Sequence, residues 1–149
     1  MAGQALALLR PQGGKMALFV GLASAANARA REQGVLEGAG AVFTKTQTWE
    51  DGGDHSRARQ NVQSALSKTP DLEALVGLWT YNATGIAEEM ANSPQVRERV
   101  TVVTFDLDEA ARPHLAQGNI DASICQNPYE MGRLGVQLLK ALIEGDEST

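Results

Sequence analysis

Short apolar runs and amphipathic segments alternate along the whole chain, and this alternation predicts its elements. Lys15 to Gly21 is almost continuously apolar, which is typical of a strand buried on both faces. Similar runs recur downstream, and most are followed by a segment with apolar residues at helical spacing. The five predicted strands are Lys15 to Gly21, Ala41 to Thr48, Leu75 to Trp79, Val100 to Phe105 and Ile120 to Cys125.

The segments around these strands carry helix-start and helix-stop signals. A first helix is predicted over Ala2 to Leu9, and a last one over residues 128 to 144. Pro113 sits late in the segment after the fourth strand, so a distorted or restarted helix is expected there. The residues predicted to cap or open the helices are Ser24, Asp54, Asn82, Asp108 and Pro128.

Five strands, each followed by a helix, predict an α/β fold. The expected architecture is a three-layer αβα sandwich around a five-stranded parallel sheet with right-handed crossovers. Pattern alone does not fix the strand order, and the doubly wound order 2-1-3-4-5 is the one predicted. Residues 1–149 are expected to form a single domain without repeats or linkers.

Composition and charge exclude several functions. The net charge is −5 and there is no basic run, so a nucleic-acid partner is not expected. No apolar stretch approaches the roughly 20 residues of a membrane-spanning helix. Cys125 is the only cysteine, which rules out an internal disulfide. Met1 to Arg10 shows neither a basic leader nor a cleavage site, so the protein is cytoplasmic or a leader lies outside this sequence.

Signals for enzyme chemistry are weak. The sequence GGKM at residues 13–16 resembles part of a phosphate-binding loop, but it precedes a strand and lacks the Ser/Thr. No acidic cluster follows the first strand, as a phospho-acceptor domain would require. His55 and His114 are isolated and expected on the surface, and Cys125 is expected to be a small buried residue. The sequence therefore predicts no catalytic residue, no metal site and no cofactor.

Polar side chains follow four of the five predicted strands. In a parallel sheet these strand ends meet at one edge, where ligands bind. An arginine fork, a carboxylate and two amides suit the hydroxyls of a sugar-like ligand, and aromatic faces suit its apolar side. The candidate ligand-binding residues are Arg29, Asn82, Asp106, Gln126, Trp79 and Tyr81. Helix capping, a turn, a solvated charge or plain packing remain the structural alternatives for these residues.

Four segments resemble the periplasmic sugar-binding proteins of ABC transporters, in the ribose-type branch. They are Ala28 to Gly34 (ARAREQG), Thr80 to Asn82 (TYN), Val102 to Asp106 (VVTFD) and Gln126 to Gly132 (QNPYEMG). The resemblance covers nearly the whole chain but corresponds to the C-terminal lobe of such a protein. By analogy, Arg29, Asn82, Asp106 and Gln126 match the positions with which that lobe grips a sugar. Ala83, Trp79 and Tyr81 depart from residues common in relatives, which leaves the particular sugar open.

The resemblance also implies partners and a compartment. The ligand would be a monosaccharide or a similar polar small molecule, the membrane partner an ABC permease, and the location periplasmic or extracytoplasmic. In relatives the helix at residues 128–144 packs on the N-terminal lobe, which this sequence does not contain. Its apolar stripe is therefore expected to be exposed and to favour a homodimer. One lobe alone is expected to bind no better than about millimolar, ~4 kcal/mol.

Two other functions are alternatives for this sequence. The effector-binding lobe of a lac-repressor-type transcription regulator shares this architecture, but no helix-turn-helix or basic surface is present in the sequence. An enzyme of flavodoxin-like fold would need a phosphate loop or a catalytic pair. A non-enzymatic sugar-binding module is the leading hypothesis.

Overall fold

A five-stranded, all-parallel sheet in the order β2-β1-β3-β4-β5 forms the centre of the molecule, in a computed structural model that describes residues 1–145. The predicted fold class and strand order are therefore confirmed. The last four residues of the predicted domain lie outside the described residues. The strands are β1 (Gly14–Val20), β2 (Phe43–Glu50), β3 (Leu72–Gly77), β4 (Thr101–Phe105) and β5 (Ala122–Ile124).

Helices cover both faces of the sheet. They are α1 (Ala2–Leu9), α2 (Ala26–Ala39), α3 (His55–Lys68), α4 (Thr80–Asn92), α5 (Pro94–Arg97), α6 (Arg112–Ala116) and α7 (Pro128–Glu144). Helices α1 and α2 pack together on one face, and α3 and α4 pack on the other. Each face has its own apolar core, and β1 supplies both: Leu18 points to the first core and Phe19 to the second. This explains the continuous apolar run of β1, because both sides of a central parallel strand are buried.

Several predicted boundaries are wrong. The third strand begins at Leu72 and ends at Gly77, because its ladder with β1 starts earlier and the chain leaves the sheet before Trp79. Ser24 does not cap α2, which begins at Ala26 after the N-cap Ala25. Helix α4 begins at Thr80, so the residue predicted to open it lies within its first turn.

Other helix signals are confirmed. Asp54 is the N-cap of α3, and its side chain accepts a hydrogen bond from the backbone N–H of Arg57 at 3.0 Å. The segment near Pro113 restarts as predicted: a turn is capped by Asp108, and the short helix α6 then begins at Arg112. Pro113 thus lies in the first turn of α6, where a missing N–H is harmless.

Helix α7 is attached to the rest of the molecule by little packing. Ala141 is the one buried residue of its 17. The predicted stripe of Met131, Leu134, Leu138 and Leu142 is between 46% and 77% exposed. The expectation that this stripe is exposed is therefore confirmed. Within the described residues, no helix is both long and apolar enough to cross a membrane.

Candidate functional site

Asp106 lies at the carboxyl edge of the sheet, directly after β4. Its φ of 59° makes it the one described non-glycine residue in the left-handed region. Two bonds to the neighbouring edge strand fix this turn: the N–H of Asp106 donates to the carbonyl of Ile124 at 3.0 Å, and Ser123 Oγ donates to the carbonyl of Asp106 at 3.2 Å. Asp tolerates this conformation better than most residues, but some backbone strain remains. This turn brings the carboxylate within reach of Gln126 and Arg31.

Gln126 and Arg31 surround the Asp106 carboxylate. The backbone N–H of Gln126 donates to Oδ1 at 2.8 Å, and its side-chain Nε2 donates to Oδ2 at 2.6 Å. Arg31 Nη2 lies 3.6 Å from the same Oδ2. The side chains of Arg31 and Asp106 are 16% and 18% exposed, whereas Gln126 is exposed. We call Arg31, Asp106 and Gln126 the open cluster.

The structure brings Arg31 to the site and does not bring Arg29 there. Arg31 Nη1 donates to the carbonyl of Leu78 at 2.6 Å, and its guanidinium lies 4.7 Å from the centre of the Phe105 ring. Arg29 is exposed and donates to the backbone carbonyl of Ser24. Residues two apart on a helix point in different directions, so only one of these arginines can face the sheet edge.

The spacing of α2 contains the signal that identifies Arg31. Ala28 and Val35 are buried, and Arg31 follows the first by three positions and precedes the second by four. That spacing places all three on one helix face. Arg29 does not share this face.

Asn82 lies underneath the site with both ends of its amide occupied. It is 1% exposed; its Oδ1 accepts from the N–H of Trp79 at 3.1 Å, and its Nδ2 donates to Asp51 Oδ2 at 2.9 Å. Asp51 follows β2 and is also 1% exposed. Its Oδ1 accepts from the Tyr81 hydroxyl and, at 2.9 Å, from the N–H of Gly53. We call Asp51, Tyr81 and Asn82 the closed cluster.

Tyr81 points its hydroxyl inward and its ring toward the site. Burial, together with the hydrogen bond to Asp51, raises the pKa of the Tyr81 phenol above its usual value. The His55 ring stacks on the Tyr81 ring with centroids 4.7 Å apart and an interplanar angle of 19°. His55 is exposed, as predicted, but it also supports an aromatic residue of the site.

Trp79 and Tyr81 together form an aromatic wall. Their rings meet edge to face, with centroids 6.3 Å apart. Gly21, at the end of β1, leaves the space they occupy: a Cβ there would lie 2.2 Å from the Trp79 ring and 2.5 Å from the Tyr81 hydroxyl oxygen. The wall therefore depends on the absence of a side chain at residue 21.

Two cavities adjoin the open cluster. One, of about 240 Å³, is lined by both the aromatic wall and the open cluster, with Asn27 and Thr80 completing its lining. The second, of about 400 Å³, is also lined by Thr80, Asp106 and Gln126 and extends to Met131. Four of the six predicted residues thus line these cavities, namely Trp79, Tyr81, Asp106 and Gln126. Arg29 and the buried Asn82 line neither of the two.

Cys125 corrects the expectation of a small buried residue. It is exposed and lines the larger cavity, because β5 ends at Ile124 and does not extend to the cysteine. Among residues 1–145, no group of three or more His, Cys, Asp or Glu side chains is placed to hold a metal ion. The chemistry gathered at this edge is that of hydrogen bonding and apolar contact.

Residues 1–147 match the family described as the periplasmic binding protein domain. The chain belongs to this family. This periplasmic binding protein domain is 26% identical over 137 residues to the D-allose-binding periplasmic protein of Escherichia coli (strain K12), covering 88% of the chain and 42% of that protein. The family predicted from the sequence motifs is confirmed; the ribose-type assignment within it stays a prediction.

Solved structures show the same fold. GanP, a glucose-galactose binding protein from Geobacillus stearothermophilus, matches 99% of this chain with a TM-score of 0.92 at 24% identity. An ABC transporter solute-binding protein from Burkholderia graminis C4D1M, in complex with D-arabinose, matches 99% with a TM-score of 0.88 at 24% identity. The match covers 53% and 54% of those chains, so this periplasmic binding protein domain spans about half the length of its relatives.

Proposed function

We propose that this chain is a non-enzymatic sugar-binding lobe that takes a monosaccharide or similar polyol at the carboxyl edge of its sheet. The observation that carries the proposal is the open cluster: a partly buried carboxylate between a guanidinium and an amide, facing cavities beside an aromatic wall. Such a group accepts from some hydroxyls and donates to others, as a sugar requires. The E. coli relative, a D-allose-binding periplasmic protein, supports this chemistry.

The wider setting of the proposal is carbohydrate uptake. We infer that the chain acts outside the cytoplasm with an ABC permease, as one lobe of a solute-binding protein that closes on its ligand. Family membership supports this inference. None of the relatives described above is named as a transcription regulator, so the regulator alternative has no support among them.

The direct test is a two-dimensional NMR titration of the full chain with D-allose, D-arabinose, D-glucose and D-galactose. One lobe covers only one side of a ligand, so the expected dissociation constant is about 1 mM or weaker, ~4 kcal/mol. Shifts should concentrate at the amides of Asp106, Gln126 and Thr80. Micromolar affinity would contradict the half-site argument, and the absence of shifts with all four sugars would contradict the function.

Arg31 and Arg29 form a matched pair for this test. Both lie on α2, but only Arg31 reaches the Asp106 carboxylate. Arg31→Ala removes a charged hydrogen-bonding group and should weaken sugar binding by about tenfold or more, since such bonds contribute about 1.5–3 kcal/mol. Arg29→Ala should leave affinity unchanged. If Arg29→Ala weakened binding and Arg31→Ala did not, the site would contain Arg29, as the sequence predicts.

We also propose that two copies of the chain pair through α7. Its eight exposed large apolar side chains are Tyr129, Met131, Leu134, Val136, Leu138, Leu139, Leu142 and Ile143. They offer on the order of 1,000 Å² of surface, against about 800 Å² per partner in a standard interface. Its charged residues pair along the helix itself, Glu130 with Arg133 and Lys140 with Glu144.

Light scattering across a concentration series tests the pairing. The wild type should give a dimeric mass at high concentration, and Leu138→Glu should give a monomer. Leu8→Glu is the matched control, because Leu8 is 84% exposed on α1 and far from α7 in sequence. A monomeric wild type at high concentration would exclude the homodimer.

A further inference from the structure

We propose that Asp51 is a positioning residue for the aromatic wall of the candidate site. It would fix Tyr81 and, through Asn82, the backbone of Trp79, so that carbon surface and not a hydroxyl faces the ligand. The inference rests on the proposed sugar-binding function for its biological meaning. It commits the site to ligands with a C–H-rich face opposite their polar edge.

Asp51 is an acceptor for several buried donors. Three donors converge on its carboxylate: the Tyr81 hydroxyl, the Asn82 amide and the N–H of Gly53. A carboxylate is an acceptor at both oxygens, so it can satisfy all three donors at once. An asparagine would instead turn an NH₂ group toward either Tyr81 or Asn82. Packing alone would be better served by an apolar residue, since burying a carboxylate is unfavourable without such partners.

Asn82 connects Asp51 to the aromatic wall. Asn82 Nδ2 donates to Asp51, while Asn82 Oδ1 accepts from the N–H of Trp79 at 3.1 Å. One carboxylate therefore reaches both aromatic residues, one through its hydroxyl and one through its backbone. Buried networks of this kind specify one arrangement when every member is satisfied.

The two aromatic residues determine which surface a ligand in the cavity would contact. With its hydroxyl turned to Asp51 and one ring face against His55, Tyr81 offers carbon to the cavity. Trp79 and the open cluster line the same cavity. A ligand that fits must present hydroxyls to Asp106 and Arg31 and an apolar face to the wall.

Asp51→Asn and Asp54→Asn provide a matched test on the full chain. The two residues lie three apart in one loop and undergo the same chemical change. Asn is a good helix N-cap, so Asp54→Asn should leave α3 and the sugar affinity unaltered. Asp51→Asn should weaken binding of the tightest of the four sugars by about fivefold or more, with one donor now opposed by another.

A double-mutant cycle separates positioning from direct contact. If the Tyr81 hydroxyl acts only through Asp51, then Asp51→Asn combined with Tyr81→Phe should bind no worse than Asp51→Asn alone. Additive losses would mean that the hydroxyl touches the sugar and would overturn the proposal. Equal affinities for Asp51→Asn and Asp54→Asn would also overturn it.

A reading without ligand distinguishes this proposal from the sugar-binding function. The chain has two tyrosines, so Tyr129→Phe leaves only Tyr81 to observe by ¹³C NMR of the phenol ring. The pKa of the Tyr81 phenol should lie above that of a free tyrosine, and it should fall in the Asp51→Asn variant. If no sugar binds but this change occurs, the sugar function fails and the positioning role stands. If the titration does not move, the positioning role fails whatever the sugars do.

Discussion

The closed and open clusters lie side by side at one edge of the sheet and direct their hydrogen bonds differently. In the closed cluster, Asp51 and Asn82 are each 1% exposed, and their polar atoms pair with one another, with the Tyr81 hydroxyl or with backbone. In the open cluster, Asp106 is 18% exposed and its partner Gln126 is exposed. Both clusters follow strand ends, so position at a strand end does not by itself identify a ligand-binding group. Burial therefore distinguishes the residues that support the site from those that a ligand could reach.

The comparison predicts that damage to the closed cluster appears first as lost stability. Asn82→Ala would leave the N–H of Trp79 and an oxygen of Asp51 without their buried partner, at about 3 kcal/mol in total. Urea unfolding should show this loss. Asn127→Ala, which removes the exposed N-cap of α7, should cost only about 1 kcal/mol. Equal losses would mean that the closed cluster is no more than a helix cap.

Gly21→Ala tests whether the aromatic wall depends on the space that the missing side chain of residue 21 leaves free. A Cβ at residue 21 would lie 2.2 Å from the Trp79 ring, so the ring must move, and the free energy of unfolding should fall by about 2 kcal/mol. Tryptophan fluorescence should shift along with it. Gly34→Ala is the control: no atom lies within 4 Å of that Cβ, and in the middle of α2 it should stabilise by about 0.5–1 kcal/mol. An unchanged Gly21→Ala variant would show that the wall has room to adjust.

The sequence predicted the sheet well because central parallel strands are marked by their own composition. The run from Met16 to Val20 is apolar throughout, and the βα alternation indicates a parallel sheet. The order 2-1-3-4-5 is correct, but the pattern alone did not determine it. Strand ends were less predictable: β3 stops at Gly77 because the Trp79 N–H bonds to Asn82 and not to a neighbouring strand. The end of β3 thus depends on the Asn82 side chain, which turns back to the Trp79 backbone. Hydrophobic periodicity does not predict such a contact.

The candidate site was predicted in part. Asp106 and Gln126 meet as expected, because both directly follow neighbouring strands. Arg29 is the predicted arginine, but Arg31 is the one that reaches Asp106. The helical phase of α2, which the buried Ala28 and Val35 define, accounts for this difference. Asp51 could not have been identified, since nothing local to residues 50–53 indicates that Tyr81 and Asn82, some thirty residues later, turn toward it. The sugar-binding roles of all the candidate residues remain predictions.

Asp106 tests the open cluster, where binding should suffer more than stability. Asp106→Ala removes the acceptor of Gln126 and places Ala at φ 59°, whereas Asn tolerates that conformation. Asp106→Ala should therefore be about 1 kcal/mol less stable than Asp106→Asn in urea, with the fold intact. Sugar shifts in the NMR titration should disappear in the Ala variant. Persistent binding would mean that the site lies elsewhere.

The smallest expected effect is the pH dependence that Tyr81 gives to the closed cluster. Burial and Asp51 raise the pKa of the folded phenol above the 10.0 of an unperturbed tyrosine. Below pH 10 the phenol is protonated in both states, so its contribution is fully present. Above it the unfolded chain loses the proton first, and stability falls as pH rises toward the folded pKa.

Urea midpoints measured from about pH 8 to about pH 11 should therefore decline more steeply in the wild type than in Tyr81→Phe. Tyr129→Phe, which alters an exposed tyrosine on α7, should follow the wild type. Parallel curves for all three proteins would show that the Tyr81 hydroxyl is not held by Asp51, and the distinction between the two clusters would then rest on Asn82 alone.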